Sequence, residues 1–233
     1  EVEQPLASKS VLALDFTGQW CVNCPQASQV LAETVQAYGA DTLICVSIYL
    51  PYVIDVAAMQ LHSADGFYYA QSLGLDGYSA PWLNIDLDAT RLSDNYNLWR
   101  GLIAEQMSAD PIEIDLTATA TYNATANTLS LSAEAQGNAD GDLRLLAWVV
   151  EDKVEALQAM PDGSFDMQHE HNNVFRLAME SRNGVPLSIG NTTNVDATLS
   201  TDWNVENLKI VMIIVGADGK ALVAKVLRQF AYE

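Results

Sequence analysis

The chain has 233 residues, of which 49% are hydrophobic and 18% are charged. This composition is typical of a folded globular protein and excludes a disordered or collagen-like chain. Thirty acidic and eleven basic residues give a net charge of -19, which argues against nucleic acid and anionic membranes as partners. Apolar runs such as Ile210 to Val215 are far shorter than the roughly 20 residues of a membrane-spanning helix, so we predict no transmembrane segment.

The first part of the chain alternates between predicted strands and helices. Val11 to Phe16 is a short apolar run, Pro25 to Tyr38 has the spacing of an amphipathic helix, and Thr42 to Leu50 is rich in β-branched residues. A strand, a helix and a strand in this order predict a βαβ unit. Three more elements are predicted before residue 110: helical stretches between Asp55 and Leu73, a strand from Trp82 to Leu87, and a helix from about Asn95 to Ser108.

After Asp110 the pattern changes to a period of two. Apolar and polar residues alternate from Ile112 to Ala120 and again from Leu129 to Ala135, which is typical of half-buried antiparallel strands. Asp218 and Gly219 predict a hairpin between the last two strands. The further strand candidates are Leu143 to Val150, Val174 to Met179, Leu208 to Val215 and Ala221 to Phe230. Six or more short strands predict a β-sandwich for residues 111–233, after an α/β domain at residues 1–110.

The chemically informative residues are Cys21 and Cys24, which lie between the first predicted strand and the first predicted helix. A helix start leaves backbone N–H groups unpaired and carries partial positive charge, so a thiolate at Cys21 would be stabilised there. Cys24 is then placed to attack a mixed disulfide formed at Cys21 and to release the reduced substrate. The spacing predicts a redox pair, and the alternative is a structural disulfide.

The residues around this pair resemble the thioredoxin superfamily. Asp15 stands six residues before Cys21, Trp20 directly precedes it, and Ser79 to Leu83 stands where that family has its cis-proline loop. The resemblance implies a thioredoxin-like domain at residues 1–110, with Asp15 exchanging protons with Cys24. It also implies that Pro81 aligns the substrate backbone, and we interpret Trp20 as a docking surface beside Cys21. Asp15 has an alternative interpretation as a partly buried cap.

A closer resemblance is to the outer membrane protein 28-related family of Gram-negative bacterial lipoproteins. It is carried by Phe16 to Gly18 before the pair, Pro25 after it, and the segment from His169 to Arg176. The resemblance implies a thioredoxin-like domain followed by an immunoglobulin-like β-sandwich. It also implies a location in the cell envelope, in the periplasm or at the outer membrane, with a lipid anchor upstream of this chain.

Cys45, His169 and His171 have simpler interpretations. Cys45 lies in the middle of a predicted buried strand and is interpreted as a small core residue. The two histidines would share one face of a strand and could hold a metal with a further ligand. A single His-x-His pair is a weak signal and no compact set of four ligands is visible, so we predict no metal site and no cofactor.

The favoured function is thiol-disulfide exchange with protein thiols or disulfides in the envelope, of the reductase or isomerase type. The alternative is a non-catalytic envelope lipoprotein that uses the thioredoxin-like fold as a binding or structural module. Residues 10–90 contain no Lys or Arg, which favours cationic polypeptides as partners. The same stretch contains eight acids: Asp15, Glu33, Asp41, Asp55, Asp65, Asp76, Asp86 and Asp88.

Without a nearby cation, we expect the pKa of the Cys21 thiol to lie near about 7 and well above the strongly oxidising value of about 3.5. The ultraviolet absorbance of the thiolate, followed against pH in the reduced protein and in Cys21→Ser, measures it. A midpoint below about 5 would contradict the prediction.

Overall fold

The computed structural model describes residues 9–52, 60–139 and 141–233. Strands hold 43% of these residues and helices hold 17%. The α-helices are α1 (Cys24–Tyr38), α2 (Ala64–Ser72) and α3 (Trp99–Met107). The first strands are β1 (Val11–Thr17), β2 (Leu43–Tyr49), β3 (Trp82–Ile85), β4 (Leu92–Ser93), β5 (Ile114–Asn123), β6 (Thr128–Gly137) and β7 (Leu143–Glu151). The remaining strands are β8 (Val154–Ala159), β9 (Phe165–His171), β10 (Val174–Ala178), β11 (Val185–Leu187), β12 (Thr192–Thr198), β13 (Leu208–Val215), β14 (Ala221–Leu227) and β15 (Ala231–Tyr232).

Most strands belong to one mixed sheet of nine strands. Its order is β14-β13-β7-β10-β2-β1-β3-β4, and β11 pairs with β7 beside this path. β1 and β2 are parallel and joined through α1, as the predicted βαβ unit requires. β13 and β14 form the antiparallel hairpin predicted around Asp218 and Gly219. The helical stretches predicted from Asp55 lie partly in residues 53–59, outside the described residues, and α2 follows at Ala64.

The predicted fold class, a thioredoxin-like domain followed by an immunoglobulin-like β-sandwich, is wrong. β10 pairs in parallel with β2 through Val174 and Ser47, and β7 and β13 follow in the same sheet. The later strands therefore extend the sheet of the first part instead of forming an independent pair of sheets. The fold is mostly β, with mixed sheets. The division into residues 1–110 and 111–233 stays a prediction.

Two smaller sheets complete the fold. β12, β6, β5 and β15 form a four-stranded sheet, in which β5 and β6 are antiparallel, as their alternating sequence predicts. Its apolar side chains, such as Leu116 and Leu131, share a core with Leu145, Val149 and Ile210 of the large sheet. β8 and β9 form a separate two-stranded hairpin.

The alternation of side chains along β1 separates two cores and positions the site. Leu12, Leu14 and Phe16 belong to the core that includes residues of α2. Val11 and Ala13 belong to the core that includes residues of α1 and α3. Because successive side chains of a strand point to opposite faces, Asp15 lies on the same face as Val11 and Ala13, towards α1.

No helix among the described residues has the length and apolar character needed to span a bilayer.

The core around Trp148 gives a test of this architecture. Trp148 is fully buried, and its Nε1 donates to Tyr69 Oη at 2.9 Å, which connects β7 to α2. We expect Trp148→Ala to lower the free energy of unfolding by about 3–5 kcal/mol, because a large cavity remains. Urea denaturation measures the loss. Trp203→Ala, at a half-buried position, is the control and should lose clearly less; equal losses would contradict the assigned packing.

Candidate functional site

Cys21 and Cys24 are joined by a disulfide, with their Cα atoms 5.4 Å apart. Helix α1 begins at Cys24, with Asn23 as its cap, so Cys21 lies in the turn before the helix. Pro25 falls in the first turn, where a missing N–H group breaks no helical hydrogen bond. Cys21 is 4% exposed and Cys24 is 1% exposed. Both cysteines are thus buried, and Cys21 is the more exposed of the two.

The residue before Pro81 lies beside Cys21. The peptide bond between Ala80 and Pro81 is cis, and Cys21 Sγ lies 3.5 Å from Ala80 O. β3 begins at Trp82 and pairs antiparallel with β1. The pairing of these strands is what holds the loop against the cysteine pair.

Trp20 is half-buried beside the pair. Its Nε1 donates to Leu50 O at 3.4 Å, and its ring lies 5.7 Å from the ring of Tyr52, between centroids. A Cβ atom at Gly18 would lie 2.7 Å from the Trp20 ring, so only glycine fits there without displacing the indole. Gly18 therefore sets the position of Trp20 over this loop.

Asp15 is a buried carboxyl on the α1 side of the sheet, with 1% of its surface exposed. Ser28 Oγ donates to Asp15 Oδ2 at 3.0 Å, whereas Asp15 Oδ1 has no hydrogen-bond partner among the described residues. Burial raises the pKa of Asp15 to about 7, and the Ser28 hydrogen bond partly opposes this rise. The group therefore changes charge near neutral pH.

A cavity of about 360 Å³ lies between α1 and the end of β9. Asp15 and Ser47 of the sheet and Cys24 and Ser28 of α1 line it. On the opposite side it is lined by His169, Glu170 and His171 of the hairpin, and Cys21 does not line it. The structure thus brings Asp15 and Cys24 to one cavity, while Cys21 faces Ala80.

His171 and Tyr49 form a buried pair next to this cavity. Tyr49 Oη lies 2.8 Å from His171 Nδ1, and His171 Nε2 lies 3.3 Å from Ala156 O. Burial, and to a lesser extent the neighbouring His169, lower the pKa of His171 to about 4. The imidazole is therefore neutral near pH 7, and Tyr49 donates to Nδ1 while Nε2 donates to the carbonyl.

The hairpin of β8 and β9 covers the cysteine loop, which the sequence analysis missed. Gln158 Nε2 donates to Cys21 O at 3.1 Å, and Ala159 N donates to Gln19 O at 2.7 Å. Gln19 Nε2 in turn donates to Leu157 O at 2.8 Å. These contacts span about 140 residues of sequence, and all three have a backbone carbonyl as acceptor, which leaves no pattern in the sequence.

Cys45 is buried in the core between α1 and the sheet, as predicted, and burial raises its pKa far above the usual range of a thiol. In the part of the chain that the structure describes, no group of three or more His, Cys, Asp or Glu side chains could hold a metal ion. His169 is instead 3.4 Å from Asp166 through Nδ1, and its ring packs on His171.

The sequence model of the family described as Outer membrane protein Omp28 matches residues 69–231. The chain belongs to this family. The match covers most of the chain and supports the predicted location in the bacterial cell envelope. It begins after the cysteine pair, so Asp15, Cys21 and Cys24 lie outside the matched residues.

No curated protein matches the chain significantly. One solved structure with a detectable likeness is the Pseudomonas fluorescens alkylpurine DNA glycosylase AlkC bound to DNA containing an abasic site analog. It is 12% identical, and the likeness covers 59% of this chain and 36% of that chain at a TM-score of 0.23. The chain thus spans about a third of the length of that glycosylase, and the likeness carries no argument about fold or function.

The buried carboxyl gives a prediction for Asp15→Asn. Because the folded state raises the pKa of Asp15 from 3.8 to about 7, it binds the proton more tightly than the unfolded chain does. The contribution of Asp15 to stability is therefore fully present below pH 4 and is lost as the pH rises to about 7. The loss is on the order of 4 kcal/mol, and Asp15→Asn avoids it.

Urea denaturation of both proteins at pH 4 and pH 8 measures this effect. We expect the variant to gain stability over the wild type as the pH rises, while other titrating groups, such as His171, cancel in the difference. A difference that does not change with pH would show that Asp15 has an ordinary pKa.

Proposed function

We propose that this envelope protein exchanges thiols and disulfides with protein substrates through Cys21 and Cys24. The observation that carries the proposal is the disulfide at the start of α1, with Cys24 and the buried Asp15 on one cavity. A disulfide that closes a loop of only three residues adds little chain-entropy stabilisation compared with a long loop. The position of this disulfide beside a buried carboxyl that titrates is better explained by a role in thiol-disulfide exchange.

The reaction runs in two exchange steps from the reduced protein. The thiolate of Cys21 attacks a substrate disulfide, forms a mixed disulfide and displaces one substrate thiolate, which takes up a proton. The thiolate of Cys24 then attacks Cys21 Sγ, closes the Cys21–Cys24 disulfide and displaces the second substrate thiolate. Two electrons pass from the protein to the substrate, and a thiol reductant of the envelope restores the dithiol.

Isomerisation follows the same first step without net electron transfer. A second thiol of the substrate attacks the mixed disulfide before Cys24 does, so Cys21 leaves as a thiolate and the substrate keeps a rearranged disulfide. Cys21 is assigned the attacking role because it is the more exposed of the two cysteines, at 4% against 1%.

Asp15 is proposed to accept the proton of the Cys24 thiol before the second step. Its pKa of about 7 allows it to bind and release a proton near neutral pH, which is what general base catalysis requires. Both side chains line the same cavity, which gives the proton a path between them.

Trp20 and Pro81 are proposed to contact the substrate chain on either side of Cys21. Trp20 packs on the exposed ring of Tyr52, and Ala80 O before Pro81 is 3.5 Å from Cys21 Sγ. The acidic surface favours cationic polypeptides, a preference that added salt should weaken.

A second candidate function is a non-catalytic envelope lipoprotein in which the disulfide only fixes the start of α1. The burial of both cysteines favours this alternative. The side chain of Gln158, which is hydrogen-bonded to Cys21 O, covers the cysteine loop further. The two candidates differ in whether a substrate thiol reaches Cys21.

A model aromatic disulfide that releases a coloured thiol distinguishes them. We expect the reduced protein to cleave it, Cys21→Ser to be inactive, and Cys24→Ser to accumulate a mixed disulfide visible by mass spectrometry. Asp15→Asn should slow the second step by about 100-fold, since general base catalysis contributes roughly that much.

Glu33→Gln is the matched control and should keep full activity, because Glu33 is an exposed carboxyl of α1 that does not line the cavity. A Cys21–Cys24 disulfide that resists mild thiols, or cleavage that persists in Cys21→Ser, would leave only the structural role.

A further inference from the structure

The cavity between α1 and β9 has the form of a groove with a polar floor. Asp15 and Thr17 of β1 and Ser47 of β2 form part of the floor, α1 forms one wall, and the end of β9 forms the other. Its volume of about 360 Å³ lies at the lower end of the roughly 300–1,000 Å³ that ligand pockets occupy. The groove is therefore the right size for one side chain or a small molecule.

The charged groups that line the groove are of one sign. Asp15 and Glu170 supply carboxyls, and no Lys or Arg is found among the described residues that line it. Glu170 accepts a hydrogen bond from Asn172 Nδ2 at 2.9 Å and is exposed to solvent. His171 is neutral because burial lowers its pKa to about 4. The groove thus favours a cation over an anion.

The floor contains an acceptor that lacks a donor. Asp15 is 1% exposed, its Oδ2 is bonded to Ser28, and its Oδ1 has no partner among the described residues. A buried acceptor without a donor is costly, and a charged N–H donor is the strongest partner for a carboxylate. An ammonium or guanidinium group in the groove would supply that partner.

We propose that this groove binds a lysine or arginine side chain of the polypeptide that reacts at the cysteine pair. The inference rests on the proposed function, because Cys24 lies on the wall of the same groove. A cationic side chain bound there would hold a nearby substrate cysteine beside Cys21, so the groove selects substrates with Lys or Arg close to the reacting cysteine.

The proposal predicts a pH dependence of binding. Asp15 shares the cavity with groups from three other elements. From α1 these are Ser28 and Cys24, and from β2 they are Cys45, Ser47 and Tyr49. The hairpin contributes His169, Glu170 and His171. Burial raises the pKa of Asp15 to about 7, and a cation binds its ionised form. Affinity should rise about tenfold between pH 6 and pH 8 and then level off.

The test uses the wild-type protein with its disulfide intact and no thiol present. The probe is Nα-acetyl-lysine methylamide, its neutral counterpart is Nα-acetyl-norleucine methylamide, and n-butylamine represents a free amine. Titrations followed by nuclear magnetic resonance measure each affinity. We expect the lysine probe to bind at least about tenfold more tightly than the norleucine probe, since the latter lacks the charged donor.

Three variants locate the binding. Asp15→Asn should lose about tenfold in affinity for the lysine probe, and the urea denaturation proposed above checks that it folds. Ala32→Trp, at an exposed position on the α1 wall, should block the groove while leaving Asp15 in place. Glu33→Gln is the matched control, because Glu33 is an exposed α1 carboxyl that pairs with Arg100 and does not line the groove.

Equal binding of the norleucine probe, unchanged binding in Asp15→Asn, or tighter binding of butylamine than of the lysine probe would each overturn the proposal. Because binding is measured without thiol exchange, its failure in a protein that cleaves disulfides overturns only this inference. Binding in a protein that cleaves none overturns only the proposed function.

Discussion

The structure depends on the parallel pairing of β10 with β2, where Ser47 N donates to Asn173 O at 2.7 Å. This pairing attaches β7, β13 and β14 to the strands of the first part of the chain. Lys209, 8% exposed, supports it through hydrogen bonds to Asp152 and Asn173. Asn173 has a φ of 58°, a left-handed conformation that asparagine tolerates better than most residues. The turn between β9 and β10 is therefore held in one position by backbone and charge together.

The same turn sets the position of the candidate site. Because β9 ends at His171 and β10 begins at Val174, fixing Asn173 also fixes the hairpin of β8 and β9. The hairpin then covers the cysteine loop through Gln158 and forms one wall of the groove. One wall of the cavity at Cys24 and Asp15 thus comes from residues more than 130 positions away in the chain.

The site contains a buried carboxyl that lacks a full set of hydrogen bonds and a buried pair that is fully bonded. Burial raises the pKa of Asp15 to about 7, and its Oδ1 has no hydrogen-bond partner among the described residues. A Leu or Val at this position would pack without that cost. Tyr49 and His171, by contrast, satisfy each other, and the imidazole stays neutral. The unsatisfied oxygen of Asp15 belongs to a side chain that lines the same cavity as Cys24.

The sequence alone determined the local elements, because alternation and helical spacing act over a few neighbouring residues. It predicted the βαβ unit, the final hairpin and the burial of Cys45. Only the tertiary structure decided that β10 joins β2 and that Gln158 and His171 belong to the site. Strand pairing uses backbone groups that every residue carries, so nothing in the sequence marks which distant strand completes a sheet.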